Sequence, residues 1–247
     1  SIVAGLEQMQ LIFASEIKQD STSMSSVNFQ PLFYTSDNSG ELRGNFNLNP
    51  ENKLLENHFK VPIIWMDQVH GKTIKEVKDS NKKLIETCDG VYTRLNSLAL
   101  AVKTADCLPL ILCSNDGLEI AAVHVGWRGL CSGIIEKAIE KFHSESDSLR
   151  SWLAPSISYL YYEVGQEVYE SFLKNDSESI SSFVSSKVHG KWLLNLRLEA
   201  QRRLEKLRVE VISGDYCTFK DSDLFYSYRR NQSEGRMVTL VWREDEK

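Results

Sequence analysis

Short apolar runs bounded by turn residues recur along this chain, and only a few stretches carry helical spacing. Near the start, Leu11, Phe13 and Ser15 alternate and PLFYTS follows, which reads as two strands joined by a polar loop over residues 21–28. Residues 50–59 read as a short helix and VPIIWM as a strand. LALAV, LPLILC and LEIAAVHVG are further strands. Asn115, Asp116 and Gly117, between the last two, give the strongest hairpin signal in the sequence, so those two strands should lie side by side. Past Gly126-Trp127-Arg128-Gly129, apolar residues at 130, 134, 135, 138, 139 and 142 recur with helical spacing, so a strand passes through a tight glycine turn into an amphipathic helix. Two more helices are expected over 162–174 and 196–207, the second with Leu196, Ala200, Leu204 and Leu207 on one stripe. VEVIS, LFYSY and MVTLVW read as closing strands, and the serine-rich 177–186 as a loop. This pattern predicts an α+β sandwich with helices covering sheets.

No Pro/Gly/Ser-rich linker divides the 247 residues, so residues 1–247 are read as a single domain. The 29 basic and 34 acidic residues are interspersed, and the net charge of −5 argues against nucleic acid and for a small-molecule substrate. No apolar run approaches the roughly 20 residues needed to span a bilayer. The opening SIVAGLEQMQLIFASEI lacks a basic region followed by a long apolar segment. A cytoplasmic protein with no membrane partner, a monomer or small homo-oligomer, is expected.

Five cysteines, at 88, 107, 113, 131 and 217, form neither an even set nor any C-x-x-C pair, so they should be free thiols. Four of them read as small buried hydrophobes. Cys107 differs, because Asp106 precedes it and Leu108-Pro109 follows, where the chain turns between two apolar runs. Of the five histidines, His70 and His124 stand beside glycines at the ends of strand-like runs, whereas His58, His143 and His189 read as surface or capping residues. Two imidazoles and one thiolate are the set that a zinc with an open fourth position takes, and equally the set that a Cys-His hydrolase uses for nucleophilic attack. Gly126 and Gly129 would let backbone amides approach an anionic ligand, and Arg128 in the same turn would add positive charge.

The strings DQVHG, TADCLPL, AAVHVGWRG, YEVG, FYSYRR and GRMVTLVW, in that order, resemble the motifs of the YfiH family. Its members carry the labels polyphenol oxidase, laccase-like protein, and purine nucleoside phosphorylase with adenosine deaminase activity. The resemblance runs from about Phe33 to the C-terminus. It implies a four-layer α/β/β/α sandwich of the cysteine-hydrolase type, similar to the catalytic domain of cytotoxic necrotizing factor. It further implies that His70, Cys107 and His124 bind zinc, with copper in the laccase-labelled members. The family's Thr-x-Arg and Gly-Gly segment reads here TSDNSGELRG, with no arginine two places after Thr35 and Arg43 the nearest one. Its Ser-Leu-Asn-Leu-Gly reads NFNLN and retains Asn47 as a substrate-binding candidate, and its Gly-Pro-Cys-Ile-Gly reads APSIS.

Three activities follow from the resemblance together with the residues. The first is a zinc-dependent purine nucleoside enzyme that phosphorolyses adenosine, inosine and methylthioadenosine and deaminates adenosine, using Cys107, His124 and Arg128 in catalysis and Asn47, Gly126 and Arg128 in substrate binding. The second is a Cys107-dependent amidase acting on peptidoglycan precursors. The third, a copper-dependent polyphenol oxidase, would call for a cluster of copper centres that five histidines are too few to hold.

Overall fold

A computed structural model of the protein describes residues 9–17, 55–57, 59–96, 98–232 and 235–243. The alternation expected near the start forms β1 (Met9–Ile17), which pairs in parallel with the last strand, β14 (Arg236–Arg243). PLFYTS, its preceding loop and His58 lie outside the described residues. The five-stranded sheet runs β1-β14-β6-β2-β4, where β2 is Ile63–Met66, β4 Leu84–Ile85 and β6 Ala99–Thr104.

A six-stranded sheet runs β13-β9-β7-β8-β5-β3. Its members are β3 (Ile74–Glu76), β5 (Gly90–Thr93), β7 (Leu108–Ser114), β8 (Ile120–Val125), β9 (Leu149–Leu153) and β13 (Glu210–Ser213). The hairpin between β7 and β8 is antiparallel, with Leu110 opposite Val123, and closes where Gly117 adopts φ 69° and donates its N–H to Ser114 O.

Strand alternation divides the interior. Ile111 and Cys113 of β7 and Ala122 of β8 face Ile64, Leu100, Val102 and Met237 of the other sheet, forming a core between the two sheets. The residues between them in sequence, Leu110, Leu112, Ala121 and Val123, face the opposite way and pack under the helices. On the far face of the five-stranded sheet, Ile63, Trp65 and Leu240 pack with Leu55, and Phe59 lies against them. The segment read as a short helix over 50–59 is described from Leu55 on, and the helical residues there are 55–57 and 59. The result is a mixed α/β fold with several sheets, one of them covered by helices.

Those helices are α1 (Trp127–Cys131), α2 (Ile134–Ile139), α3 (Gln166–Asn175) and α4 (Leu196–Lys206). The amphipathic run after His124 is thus two short helices, because Gly133 at φ 89° breaks it, although Leu130, Ile134, Ile135 and Ala138 still share one buried face. α4 begins at the expected place, where the Asn195 side chain accepts the Leu198 N–H.

Three expectations are corrected. The helix read from 162 starts at Gln166; before it, β10 (Glu163–Gly165) pairs with β12 (Lys191–Leu194) in a small sheet, so these backbone groups are satisfied across strands. The serine-rich stretch is not simply a loop, since residues 177–182 form a 3-10 turn and β11 (Phe183–Ser185) completes that small sheet. LFYSY is not a strand: its residues bond to near neighbours in sequence, with the Leu224 and Phe225 N–H groups both on Asp221 O. Arg230 donates to Thr218 O, Phe219 O and Phe225 O, and Asn231 N–H to Ser227 O, which coils the segment into turns. Among the described residues no helix is long and apolar enough to cross a membrane.

Candidate functional site

The chain leaves β6 in one sheet and enters β7 in the other within three residues, and Cys107 sits on that crossing. Asp106 turns it with φ 89°, a left-handed conformation that a non-glycine residue holds only when its surroundings impose it. The surroundings are explicit. The Asp106 carboxylate accepts hydrogen bonds from Thr218 Oγ1 at 2.7 Å, Ser227 Oγ at 3.0 Å and Arg229 N at 2.7 Å, and its backbone carbonyl accepts the Ile157 N–H. Cys107 is thereby registered against a segment more than a hundred residues later.

His124 leaves the C-terminal part of β8 and is buried, while His70, on the loop after β2, is exposed and also left-handed at φ 58°. The ligating atoms of His70, Cys107 and His124 all lie within 4.8 Å of one another, and the two rings meet edge to face at 4.7 Å. Asp89, wholly buried, ties the two histidines together. Its Oδ1 lies 2.7 Å from His124 Nδ1 and accepts the His70 N–H at 2.8 Å, and its Oδ2 accepts the Gly71 N–H. Burial pushes this carboxyl up, but the His124 bond and the Gly71 and His70 amides outweigh it, so it stays below the usual carboxylate range and acts as an acceptor. His124 therefore carries its proton on Nδ1 and turns Nε2 toward the cluster.

Electrostatics favour a thiolate. Burial raises the Cys107 thiol, yet the charge and hydrogen bonds of His124 and His70 prevail and lower it to about 6. His124 responds in the opposite sense: burial lowers it, and the Cys107 charge and the Asp89 bond raise it. By contrast burial pushes Cys88 up to about 11 and Cys113 up to about 12, as suits inert core thiols. Cys88, Cys113, Cys131 and Cys217 are all buried and free.

Two glycines make room for the cluster. A Cβ on Gly126 would stand 3.3 Å from the His70 ring and 3.4 Å from Cys107 Sγ, and one on Gly129 would stand 2.5 Å from Gly71 O. Gly126 thus admits the three donor groups, and Gly129, inside α1, admits the His70 loop. Arg128 is exposed, and its guanidinium lies 4.5 Å from the Trp127 ring centroid. His143 and His189 are exposed and belong to neither the donor cluster nor the lining of its cavity, and Asn47 and Arg43 lie outside the described residues.

The cluster opens into a cavity of about 660 Å³ at the ends of β2, β6 and β8. Besides the three donor residues its lining includes Lys103, Arg128, Tyr162, Arg229 and Arg236, against a single exposed carboxylate, Asp67. Sequence reasoning missed Asp89, Tyr162 and Arg229. Asp89-Gly90 has the look of an ordinary turn, and Arg229 stands beside a second arginine with nothing local to separate their roles.

A mixed α/β fold with a Cys/His cluster at the mouth of a basic cavity is the class of protein the structure defines. The family model for multi-copper polyphenol oxidoreductase laccase matches residues 21–244, and the chain belongs to that family, the YfiH family. It is similar to the purine nucleoside phosphorylase YfiH of Shigella flexneri, 37% identical over 181 residues that cover 72% of this chain and 73% of the relative. A purine nucleoside phosphorylase of Pseudomonas aeruginosa is 37% identical over 182 residues, covering 73% and 74%. Among solved structures, a Neisseria meningitidis protein superposes with a TM-score of 0.75 at 30% identity, covering 79% of this chain and 80% of that one. YfiH of Bacillus licheniformis shares the fold at a TM-score of 0.71 and 23% identity, covering 77% and 78%.

Proposed function

We propose that the protein is a metal-dependent purine nucleoside phosphorylase, acting on inosine, adenosine and methylthioadenosine with adenosine deamination as a second activity, in a cytoplasmic single-domain enzyme of the four-layer type. The observation that carries this reading is the meeting of His70, Cys107 and His124 within 4.8 Å at the mouth of a basic cavity, in a chain whose relatives are named purine nucleoside phosphorylases.

The donor set fits a metal ion. Two imidazole nitrogens and a thiolate suit zinc, with copper the next candidate, and an Asp-oriented histidine is the usual support of such a ligand. When bound, zinc supplies Lewis acidity beside the substrate and a water acidified to a pKa of about 7 for deamination. Five histidines in the whole chain are too few for a cluster of copper centres, which weighs against laccase chemistry. Phosphorolysis itself needs no redox step: a phosphate oxygen bonds to the anomeric carbon of the ribose, the glycosidic C–N bond breaks, and the base departs with the electron pair and takes up a proton. The chain's own residues hold the reactants. Asp89 and Gly126 keep the three donors together, Arg128 offers charge to the anion, and Asn47 is the remaining candidate for substrate contact.

The test is release of free base from inosine by purified protein with and without phosphate, alongside metal content by mass spectrometry. Release that requires phosphate and falls on chelation is the expected result. A second reading rests on one observation, the Asp89–His124–Cys107 sequence of contacts, which is also the orienter, base and nucleophile of a cysteine amidase. Amide hydrolysis that survives chelation, with no nucleoside cleavage, would favour it, with peptidoglycan precursors as the substrates to try.

A further inference from the structure

The cavity's cations are not equivalent. Lys103 stands on the β2 side, its main-chain N–H and C=O both bonded to the Gln68 side chain and its ammonium 5.9 Å from the Trp65 ring centroid. Arg236 lies 5.4 Å from the Tyr228 ring centroid and donates to Gly235 O. Arg230, next to the cavity, has its guanidinium occupied by three backbone carbonyls. Arg128 and Arg229 differ. Among the described residues the Arg128 guanidinium makes its contact with the Trp127 ring and no hydrogen bond or ion pair, and the Arg229 guanidinium makes one hydrogen bond, from Nη1 to Glu163 O at 3.0 Å.

Both are nonetheless held in place. Arg128 lies over Trp127, and Arg229 lies 5.3 Å from the Tyr162 ring centroid with its own main-chain N–H fixed on Asp106. Tyr162 joins them in the lining of the cavity, with the Arg229 guanidinium against its ring. Burial pushes its phenol above the ordinary range, so at neutral pH the hydroxyl is a hydrogen-bond donor. Two guanidiniums with unused donors and one hydroxyl, all lining one cavity beside Cys107, are the recognition chemistry of a tetrahedral oxyanion.

We infer that Arg229, with Tyr162 and Arg128, forms the oxyanion subsite that seats inorganic phosphate beside the His70–Cys107–His124 cluster. The inference rests on the phosphorylase reading for its role in turnover, and on geometry alone for the binding itself. It also accounts for Asp106. By accepting the Arg229 N–H while fixing the turn at Cys107, that carboxylate sets the distance between anion subsite and cluster, so Asp106 is a positioning residue.

The experiment has a kinetic and a binding arm, on wild type, Arg229→Gln and Arg229→Lys. The Arg229 main-chain bond to Asp106 does not depend on its side chain, and thermal unfolding of each variant checks the fold. Arg229→Gln is expected to raise KM for phosphate about tenfold or more while KM for inosine changes less than about twofold, with Arg229→Lys between. In the binding arm, calorimetric titration with inorganic phosphate and no nucleoside should show an affinity loss of similar size. Equal changes in both KM values, or none in either, would overturn the subsite. If wild type cleaves no nucleoside, the phosphorylase reading fails and the binding arm decides alone. Phosphate binding lost in Arg229→Gln would then uphold the subsite, and binding unchanged by the substitution or absent from wild type would overturn it.

Discussion

Asp89 Oδ1 lies 2.7 Å from His124 Nδ1, in the buried part of the cluster, while the same carboxylate accepts the His70 and Gly71 amides. One buried side chain therefore sets the ring orientation of one donor residue and the backbone of the other. Asp89→Asn keeps the shape but cannot accept at both oxygens. Zinc affinity, measured by competition with a chromogenic chelator, should fall about 10–100-fold while far-UV circular dichroism is unchanged. Unaltered affinity would show that the carboxylate orients nothing of consequence.

Gly126→Ala tests the packing of the cluster. The backbone at φ −83° accepts alanine, so any effect comes from the added methyl, 3.3 Å from His70 and 3.4 Å from Cys107. The three donors should be pushed apart by a few tenths of an ångström, costing at least about tenfold in turnover for about 1 kcal/mol or less of stability. A parallel fall in both, read by kinetics and urea unfolding, would mark Gly126 as structural only.

Cys107 is expected to react as a thiolate far below the pH at which its neighbours do. In metal-free protein, alkylation of Cys107 followed by mass spectrometry should reach half its maximal rate near pH 6, since burial is outweighed by the two imidazoles, while Cys88 and Cys113 stay unmodified. Cys107→Ala should abolish activity with the fold intact, and Cys88→Ala and Cys217→Ala should leave catalysis almost unchanged. Full turnover in Cys107→Ala would remove this residue from the mechanism.

Glu199 gives an acid-sensitive tie between α4 and residues 176–182. It is fully buried, accepts from Ser179, Ser182, Arg202 and Arg203, and although burial raises its carboxyl, those partners hold it below the usual value. A depressed folded pKa contributes stability that is fully present above the unfolded pKa of about 4.3 and is lost as pH falls through the folded value. Glu199→Gln should cost about 3–5 kcal/mol at pH 7, because the nearly buried Arg203 loses its main partner, and the gap to wild type should shrink below about pH 4. Denaturant unfolding at the two pH values checks both the size and the sign.

Local pattern was enough to mark the β7–β8 hairpin, the helix α4 and the buried stripe of α1 and α2, because these follow from nearest-neighbour chemistry: a turn tripeptide and a 3.6-residue apolar period. It also picked out His70, Cys107 and His124 as chemically equipped residues at strand ends. What it left open was every relation that depends on distant segments meeting. Residues 162–165 look helical until β12 arrives to pair with them, and LFYSY looks like a strand until Asp221 O takes the Phe225 N–H and Arg230 takes the Phe225 carbonyl. Asp89 and Arg229 have no local signature, since one acts on residues 19 and 35 positions away and the other is anchored by Asp106, 123 positions earlier. Local pattern named the donors His70, Cys107 and His124, whereas their shared cavity, and the places of Tyr162 and Arg229 in it, come from the crossing between the sheets at Asp106, because that turn joins segments far apart in sequence.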